Sequence, residues 1–194
     1  MDASDVPAEV AAAHARATES GFTLSCEPAV GRLLATLAAA VPPGGAILEM
    51  GTGVGAGTAW IVHGLGARTD VRVTTVDLDA ATAAIARRGT WPPFVMLRVA
   101  DILAVLDELG SFDLIFADAQ GGKWQGLERT IAALRPGGLL LVDDMTPSSW
   151  LDDAHRGHTA RVRATLLEHP ELQSVELACG SGMILATRRR GSQP

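Results

Sequence analysis

The chain has 194 residues and a formal net charge of −6, with 47% hydrophobic and 20% charged residues. These values predict one globular domain with a full core. No run approaches the roughly 20 apolar residues that span a bilayer, so no membrane partner is expected. The negative charge argues against a nucleic-acid partner, and two cysteines widely separated in sequence favour a cytoplasmic location.

Helical and apolar extended segments alternate along the chain. Hydrophobic spacing predicts two N-terminal helices, at residues 6–19 and 28–41. Apolar runs then predict five strands, at 46–50, 71–77, 94–99, 112–117 and 138–142. Helices are expected between and after them, at 56–66, 79–88, 101–109 and 124–135. Such alternation predicts right-handed crossovers and a parallel, doubly wound α/β sheet.

The C-terminal part differs from this pattern. A helix is expected at 155–168, followed by strands at 172–178 and 182–187. Only Cys179-Gly180-Ser181-Gly182 joins these two strands, and so short a link requires antiparallel pairing. The parallel sheet is therefore expected to end in an antiparallel hairpin.

The loop after the first strand carries glycine at every second position, namely Gly51, Gly53, Gly55 and Gly57. Glycine lets the backbone approach a ligand closely, and the helix that follows offers unpaired N–H donors. Asp77 ends the second strand, where a carboxylate accepts hydrogen bonds from ribose hydroxyls. The loop also fits the dinucleotide fingerprint, with Ala56 in the last position, so an NAD-dependent oxidoreductase stays open here.

Acidic residues at strand ends point to a different nucleotide. Glu49 precedes the first glycine, where it would repel a pyrophosphate but attract the ammonium of an amino-acid moiety. Asp118 ends the fourth strand, and Asp143 and Asp144 end the fifth.

Five segments together resemble the class I S-adenosylmethionine (SAM)-dependent methyltransferases, over residues 25–187. Among these, the chain is most similar to the small O-methyltransferases related to catechol and caffeoyl-CoA methyltransferases. The segments are Ser25-Cys-Glu-Pro-Ala-Val-Gly31-Arg-Leu-Leu, Ile47-Leu-Glu49-Met-Gly51-Thr-Gly53, Val76-Asp77-Leu-Asp79, Phe112-Asp-Leu-Ile-Phe-Ala-Asp118-Ala and Arg135-Pro-Gly-Gly-Leu-Leu-Leu-Val-Asp143-Asp144.

The resemblance implies a Rossmann-like, seven-stranded sheet in the order 3-2-1-4-5-7-6, with the last strand antiparallel and helices on both faces. Residues 1–194 would form one domain, with N-terminal helices at 1–45, a cofactor-binding core at 46–145, and the late helix and hairpin at 146–194. A homodimer is also implied.

The resemblance also assigns residues to SAM. Glu49 and the Gly51–Gly55 backbone would hold the methionine end, Asp77 the ribose, and Asp101 would approach the adenine. A helix N-cap accounts equally well for Asp101. The full cofactor-binding set is Glu49, Gly51, Thr52, Gly53, Gly55, Asp77, Leu78, Asp101 and Asp118.

Related enzymes hold a divalent cation that helps to deprotonate the acceptor hydroxyl. By resemblance, the ligands here would be Asp118, Asp143 and Asp144, which suit Mg²⁺. Such acids also occur in metal-free methyltransferases, so the metal stays open. Lys123 is a candidate general base, although it lies further from Asp118 than the lysine of those relatives and would otherwise be a solvated loop residue.

The remaining candidates surround the expected acceptor site. His155 and His158 lie one helical turn apart near the start of the late helix, and His158 joins Asp118 and Lys123 in the tentative catalytic set. Trp124 and Trp150 follow strand ends, where they would stack on an aromatic acceptor or pack under a loop.

The expected function is SAM-dependent O-methylation of a small hydroxylated acceptor, with an aromatic compound as one candidate. The alternatives are the NAD-dependent oxidoreductase and a non-catalytic SAM-binding module. Because the chain has no tyrosine, the Tyr–Lys proton relay of short-chain dehydrogenases is excluded.

Overall fold

A computed structural model describes residues 6–146 and 153–191. Two helices, α1 (Ala8–Ser20) and α2 (Pro28–Ala39), precede the sheet. The elements that follow are β1 (Ala46–Met50), α3 (Ala56–Leu65), β2 (Arg72–Asp77), α4 (Ala80–Ala86), β3 (Val95–Val99), α5 (Ile102–Leu109), β4 (Phe112–Ala117), α6 (Leu127–Ala132), β5 (Leu134–Val142), α7 (Asp153–Glu168), β6 (Leu172–Leu177) and β7 (Met183–Arg188).

The strands form one seven-stranded sheet in the order β3-β2-β1-β4-β5-β7-β6. Strands β1 to β5 pair in parallel, whereas β7 runs antiparallel to both β5 and β6. The expected strand order and the antiparallel C-terminal hairpin are both confirmed.

Side chains of β1 alternate between two cores, as the twofold period of a strand requires. Leu48 and Met50 pack in a buried cluster with residues of α5, α6 and α7. Ile47 packs on the opposite face, in a cluster with residues of α1, α2 and α3. Helices therefore cover both faces of the sheet, and Glu49 shares the face of Ile47.

One expected boundary is wrong. The sequence predicts a helix at 124–135 and a strand from 138, but α6 covers only Leu127–Ala132 and β5 begins at Leu134. Leu134 already pairs with Phe112, and the register then shifts before pairing resumes between Leu114 and Leu139. A strand that contains Arg135-Pro-Gly-Gly138 at a shift of register is hard to distinguish from a helix end in the sequence.

The hairpin turn reaches the edge of the sheet where the parallel strands end. Met145 N–H donates to the carbonyl of Gly182 at 2.8 Å, and Thr146 N–H donates to the carbonyl of Ser181 at 2.9 Å. The β6–β7 turn therefore lies beside Asp143 and Asp144. Trp150, one of the expected acceptor residues, lies outside the described residues.

Within the described residues, no helix combines the length and the apolar character needed to cross a membrane.

Candidate active site

The glycine-rich loop takes a conformation that favours glycine and holds Asp77. Gly51 and Gly55 have φ of 98° and 91°, in the left-handed region that side chains other than glycine rarely adopt. A Cβ at Gly51 would lie 2.8 Å from the Asp118 carbonyl oxygen. The Gly53 N–H donates to Asp77 Oδ2 at 2.8 Å, and the Asp79 N–H donates to Asp77 Oδ1 at 2.9 Å.

Glu49 is buried, with 1% of its surface exposed. Its Oε2 atom accepts hydrogen bonds from the hydroxyls of Thr75, at 2.6 Å, and Thr58. Its Oε1 atom is buried and has no hydrogen-bond partner in the described part of the chain. Burial raises the pKa of Glu49 to about 7, although the two threonine hydrogen bonds act in the opposite direction. The unpartnered oxygen needs a donor, which an ammonium group would supply.

A cavity of about 570 Å³ opens along the carboxyl ends of β1 and β2. Gly51, Gly53, Asp77, Leu78 and Asp101 line it, as does the extended segment 22–27 that precedes α2. A smaller cavity beside it is lined by Glu49, Thr52 and Gly55's neighbours Val54 and Ala56. Leu78 is 75% exposed at the wall of the larger cavity, so it offers apolar surface that a ligand would cover.

Both roles expected for Asp101, as an adenine ligand and as a helix N-cap, are compatible with the structure. Its Oδ1 atom accepts the Leu103 N–H at 2.9 Å, which makes Asp101 the N-cap of α5. The same residue also lines the 570 Å³ cavity. The capping role is thus observed, and adenine binding remains a proposal.

Asp118, Asp143 and Asp144 converge at the ends of β4 and β5. Each offers a carboxylate oxygen, and these atoms lie within 4.8 Å of one another. Burial raises the pKa of Asp118 well above its usual value, and the nearby Asp143 carboxylate raises it further. The pKa of Asp143 is also raised, chiefly by burial, although a hydrogen bond from the Ser181 hydroxyl opposes this.

Lys123 brings a positive charge to this acidic group. Although it lies in a loop, it is only 3% exposed, so the solvated-loop interpretation is wrong. Its Nζ atom donates to the Asp143 backbone carbonyl and to Asp144 Oδ2, both at 3.2 Å. Asp144 has φ of 60°, which is strained for a residue other than glycine.

A second cavity, of about 530 Å³, lies next to the first. Asp118 lines both cavities, and Lys123, Trp124 and His155 line the second. The His155 ring meets the Trp124 ring edge-on with centroids 4.7 Å apart, while His158 stacks on it at 4.9 Å. His158 is held by Arg161, whose Nη2 lies 2.7 Å from its Nδ1. The structure thus places His155, rather than the tentatively catalytic His158, among the lining residues.

Several residues that support this site are not evident from the sequence. Thr58 and Thr75 hold Glu49, Ser181 holds Asp143, and Arg16 of α1 contacts the glycine loop. Arg16 is 8% exposed, and its Nε donates to the Val54 carbonyl at 3.1 Å. The one signal available was the pair Thr74-Thr75 inside an apolar strand; the other contacts join distant parts of the chain.

Comparisons with known proteins agree with this geometry. The sequence profile of the methyltransferase domain family matches residues 48–145. The chain is 31% identical to a "Putative O-methyltransferase" of Mycobacterium sp. (strain JLS), with 92% of this chain and 86% of that protein covered. It is 32% identical to a similarly named protein of Mycolicibacterium smegmatis, with 92% and 90% covered.

Solved structures share the fold. Cofactor-bound Rv0187 from MTB is 25% identical with a TM-score of 0.81, covering 96% of this chain and 92% of that one. The O-methyltransferase TomG of Streptomyces achromogenes, solved with SAM, is 22% identical with a TM-score of 0.78, covering 95% and 91%. These findings decide against the NAD-dependent alternative. The chain therefore belongs to the methyltransferase domain family, and its sequence relatives and fold identify it as a SAM-dependent O-methyltransferase.

Proposed function

We propose that this protein transfers a methyl group from SAM to a hydroxyl of a small acceptor, with the two molecules bound in the adjoining cavities. The supporting observation is that Asp118 lines both cavities, one beside the glycine loop and one beside Lys123 and Trp124. Two reactants held in adjoining sites meet in a defined orientation, which by itself lowers a reaction barrier by several kcal/mol, on the order of 7 or more.

The residues of the first cavity and of the smaller cavity beside it suit SAM. The unpartnered Oε1 of Glu49 would accept the ammonium of the methionine moiety, and the backbone of Gly51–Gly55 would lie against the same moiety. Asp77, held by two backbone N–H groups, is oriented toward ribose hydroxyls, while Leu78 and Asp101 flank the adenine. Bound SAM supplies a methyl group already activated by the sulfonium charge.

The acidic cluster suits a divalent cation such as Mg²⁺. Asp118, Asp143 and Asp144 form an all-oxygen donor set. Burial, and to a lesser extent the neighbouring carboxylates, raises the pKa of Asp118 and Asp143, and a bound cation would favour their charged forms. A cation there would lower the pKa of an acceptor hydroxyl. Lys123 Nζ already lies beside Asp144, so its ammonium would share or contest that carboxylate. Lys123 is also the candidate that would accept the hydroxyl proton as a neutral amine, or stabilise the resulting oxyanion as an ammonium.

The test is a two-stage assay. Calorimetry with SAM comes first, followed by transfer of a labelled methyl group to neutral catechols such as 4-ethylcatechol, with and without Mg²⁺. Asp118→Asn should lower turnover by about tenfold or more, because it stands where the reactants meet. Asp107→Asn, an exposed acid paired with Arg129, is the matched control. Failure to bind SAM at high micromolar concentration would contradict the proposal. Binding without turnover on any acceptor would favour the non-catalytic SAM-binding module.

We also propose that residues 1–194 act as one domain, and that the protein is a homodimer in the cytoplasm. Family resemblance supports the dimer, and the absence of a disulfide between Cys26 and Cys179 supports a reducing compartment. Light scattering after size-exclusion chromatography tests the dimer, and limited proteolysis tests the single domain.

A further inference from the structure

The second cavity is lined by more negative than positive charge. Glu27, Asp118 and Asp144 contribute carboxylates, while Lys123 contributes an ammonium. The three acids also line the first cavity, so they lie where the two cavities adjoin. Asp144 is already paired with Lys123 at 3.2 Å. Of the other two described acids, Asp118 has a raised pKa, which disfavours its charged form, so the excess negative charge lies mainly at the exposed Glu27.

Within the part of the chain that the structure describes, no partner accounts for the charge of Glu27. It is the residue before α2, yet its side chain makes no capping hydrogen bond to that helix. Across residues 6–146 and 153–191, no ion pair or side-chain hydrogen bond involves its carboxylate. Its Oε2 atom lies 2.7 Å from the place that a Cβ of Gly180 would take, and Gly180 also lines the cavity. The missing side chain at Gly180 leaves room for this carboxylate at the cavity wall.

The negative charge at Glu27 does not depend on a metal. A divalent cation would bind to Asp118, Asp143 and Asp144, whose oxygens lie within 4.8 Å of one another, and Glu27 is not a member of that group. With such a cation bound, the acidic cluster and Lys123 would be compensated, and the Glu27 carboxylate would still be unpaired. The cavity wall at Glu27 is therefore negative in either state.

Trp124 gives the same cavity an aromatic surface. Its indole lines the cavity beside His155, and His155 and His158 hold it by ring contacts at 4.7 and 4.9 Å. Such a surface favours a flat ring, and the face of an indole also attracts cations. The cavity thus combines an aromatic wall with an unpaired carboxylate.

We propose that the acceptor is a hydroxylated aromatic compound that carries a cationic amine, and that Glu27 binds this amine and selects against anionic acceptors. This proposal rests on the proposed function, since it takes the second cavity as the acceptor site. Like charges brought together at a binding site are a common means of rejecting the wrong ligand. Because Glu27 is exposed to solvent, its effect should be moderate and should weaken as salt is added.

The experiment measures binding of three catechols to the protein saturated with S-adenosylhomocysteine. Dopamine, 4-ethylcatechol and 3,4-dihydroxyphenylacetate share a ring and differ in side-chain charge. Calorimetry with and without Mg²⁺ should rank dopamine tightest and the carboxylate weakest in both conditions. In Glu27→Gln, the ratio of dissociation constants between carboxylate and amine should shrink by about three- to fivefold. Glu168→Gln, a surface acid at the end of α7, should leave that ratio unchanged.

A second readout separates charge from structure. The preference for dopamine should fall at 0.5 M NaCl in the wild type and barely change in Glu27→Gln, whereas a purely structural role would not depend on salt. The proposal is overturned if the carboxylate binds as tightly as the amine, if Glu27→Gln keeps the wild-type ratio, or if none of the three binds. The proposed function is judged separately, by SAM binding and methyl transfer to any acceptor, so either can fail alone.

Discussion

Thr75 lies opposite Glu49 in the register of β1 and β2, and its hydroxyl donates a 2.6 Å hydrogen bond to Glu49 Oε2. Thr52 extends this contact, since its hydroxyl lies 2.6 Å from that of Thr75. One carboxylate oxygen is therefore committed to the protein, while Oε1 stays without a partner among the described residues. Glu49 therefore offers one buried, unpartnered carboxylate oxygen to a positively charged group.

Replacing Glu49 by Gln should weaken SAM binding without disrupting the fold. Loss of a hydrogen bond to a charged group costs about 1.5–3 kcal/mol, which corresponds to roughly a ten- to hundredfold weaker affinity. Calorimetry with SAM and with methylthioadenosine checks this, because the second ligand lacks the amino-acid moiety. Methylthioadenosine should bind wild type and variant equally. An equal loss for both ligands would mean that Glu49 supports the cavity as a whole.

The pH dependence of stability should also reveal Glu49. Its pKa rises from 4.5 to about 7 on folding, so the folded protein retains this proton over a pH range in which the unfolded chain has lost it. The free energy of unfolding of the unliganded protein should therefore fall as pH rises from about 4.5 to 7, and Glu49 should add no further loss above that. The full effect is on the order of 3 kcal/mol, at about 1.4 kcal/mol per pKa unit.

Denaturant unfolding of wild type and Glu49→Gln at pH 5 and pH 8 isolates this contribution. The difference in stability between the two proteins should shift in favour of the variant at pH 8. SAM should bind more tightly to the wild type as pH rises from 5.5 to 8, with proton release, because its ammonium favours the ionised carboxylate. A pH-independent difference between the proteins would contradict the assignment.

Arg16 should matter for SAM although it does not line either cavity. Its guanidinium lies 5.5 Å from the centre of the Trp91 ring and holds the Val54 carbonyl within the glycine loop. Arg16→Ala should lower the free energy of unfolding by about 1–3 kcal/mol, as expected when a buried side chain is truncated. It should also weaken SAM binding, since the loop loses its support.

Arg88→Ala provides the control for Arg16. Arg88 is an exposed arginine that follows α4 and pairs with Glu19, which lies on α1 like Arg16. Its loss should change stability by less than about 1 kcal/mol. Arg16→Lys should fall between wild type and Arg16→Ala. SAM affinity of Arg16→Ala equal to that of the wild type would show that the loop needs no such support.

Lys123 should compete with a divalent cation for the acidic cluster. Lys123→Met removes a buried positive charge 3.2 Å from Asp144 Oδ2 while nearly conserving side-chain volume. Mn²⁺ should therefore bind about tenfold more tightly, since one nearby charge is worth about 1–2 kcal/mol in a partly buried site. Electron paramagnetic resonance measures free Mn²⁺ during the titration.

Lys123→Arg keeps the charge and serves as the control, with Mn²⁺ affinity close to that of the wild type. If Lys123 also accepts the proton of the acceptor hydroxyl or stabilises its oxyanion, Lys123→Met should lose methyl transfer while gaining metal affinity. Weaker Mn²⁺ binding in Lys123→Met would show that the lysine organises the cluster rather than competing for it.

Local patterns identified most of the residues at the sheet edge. Four acids lie at or next to the carboxyl end of a strand whose apolar run is evident in the sequence, namely Glu49, Asp77, Asp118 and Asp143. The carboxyl ends of parallel strands meet at one edge of the sheet. The error at 124–135 arose because Arg135-Pro-Gly-Gly138, which resembles a turn in the sequence, lies within β5 at a shift of register, between residues that pair with β4 on either side. Only the pairing partner distinguishes such a strand from a helix end.

The sequence by itself determined the alternation of helices and strands, the glycine loop and the chemistry at each strand end, because these depend on neighbouring residues and on short periods. Tertiary structure alone decided that Lys123 is buried against Asp144, that Ser181 of the hairpin holds Asp143, and that Arg16 supports the glycine loop. Those contacts join residues far apart in the chain, and their distances follow from strand order, register and loop path, which no local pattern specifies.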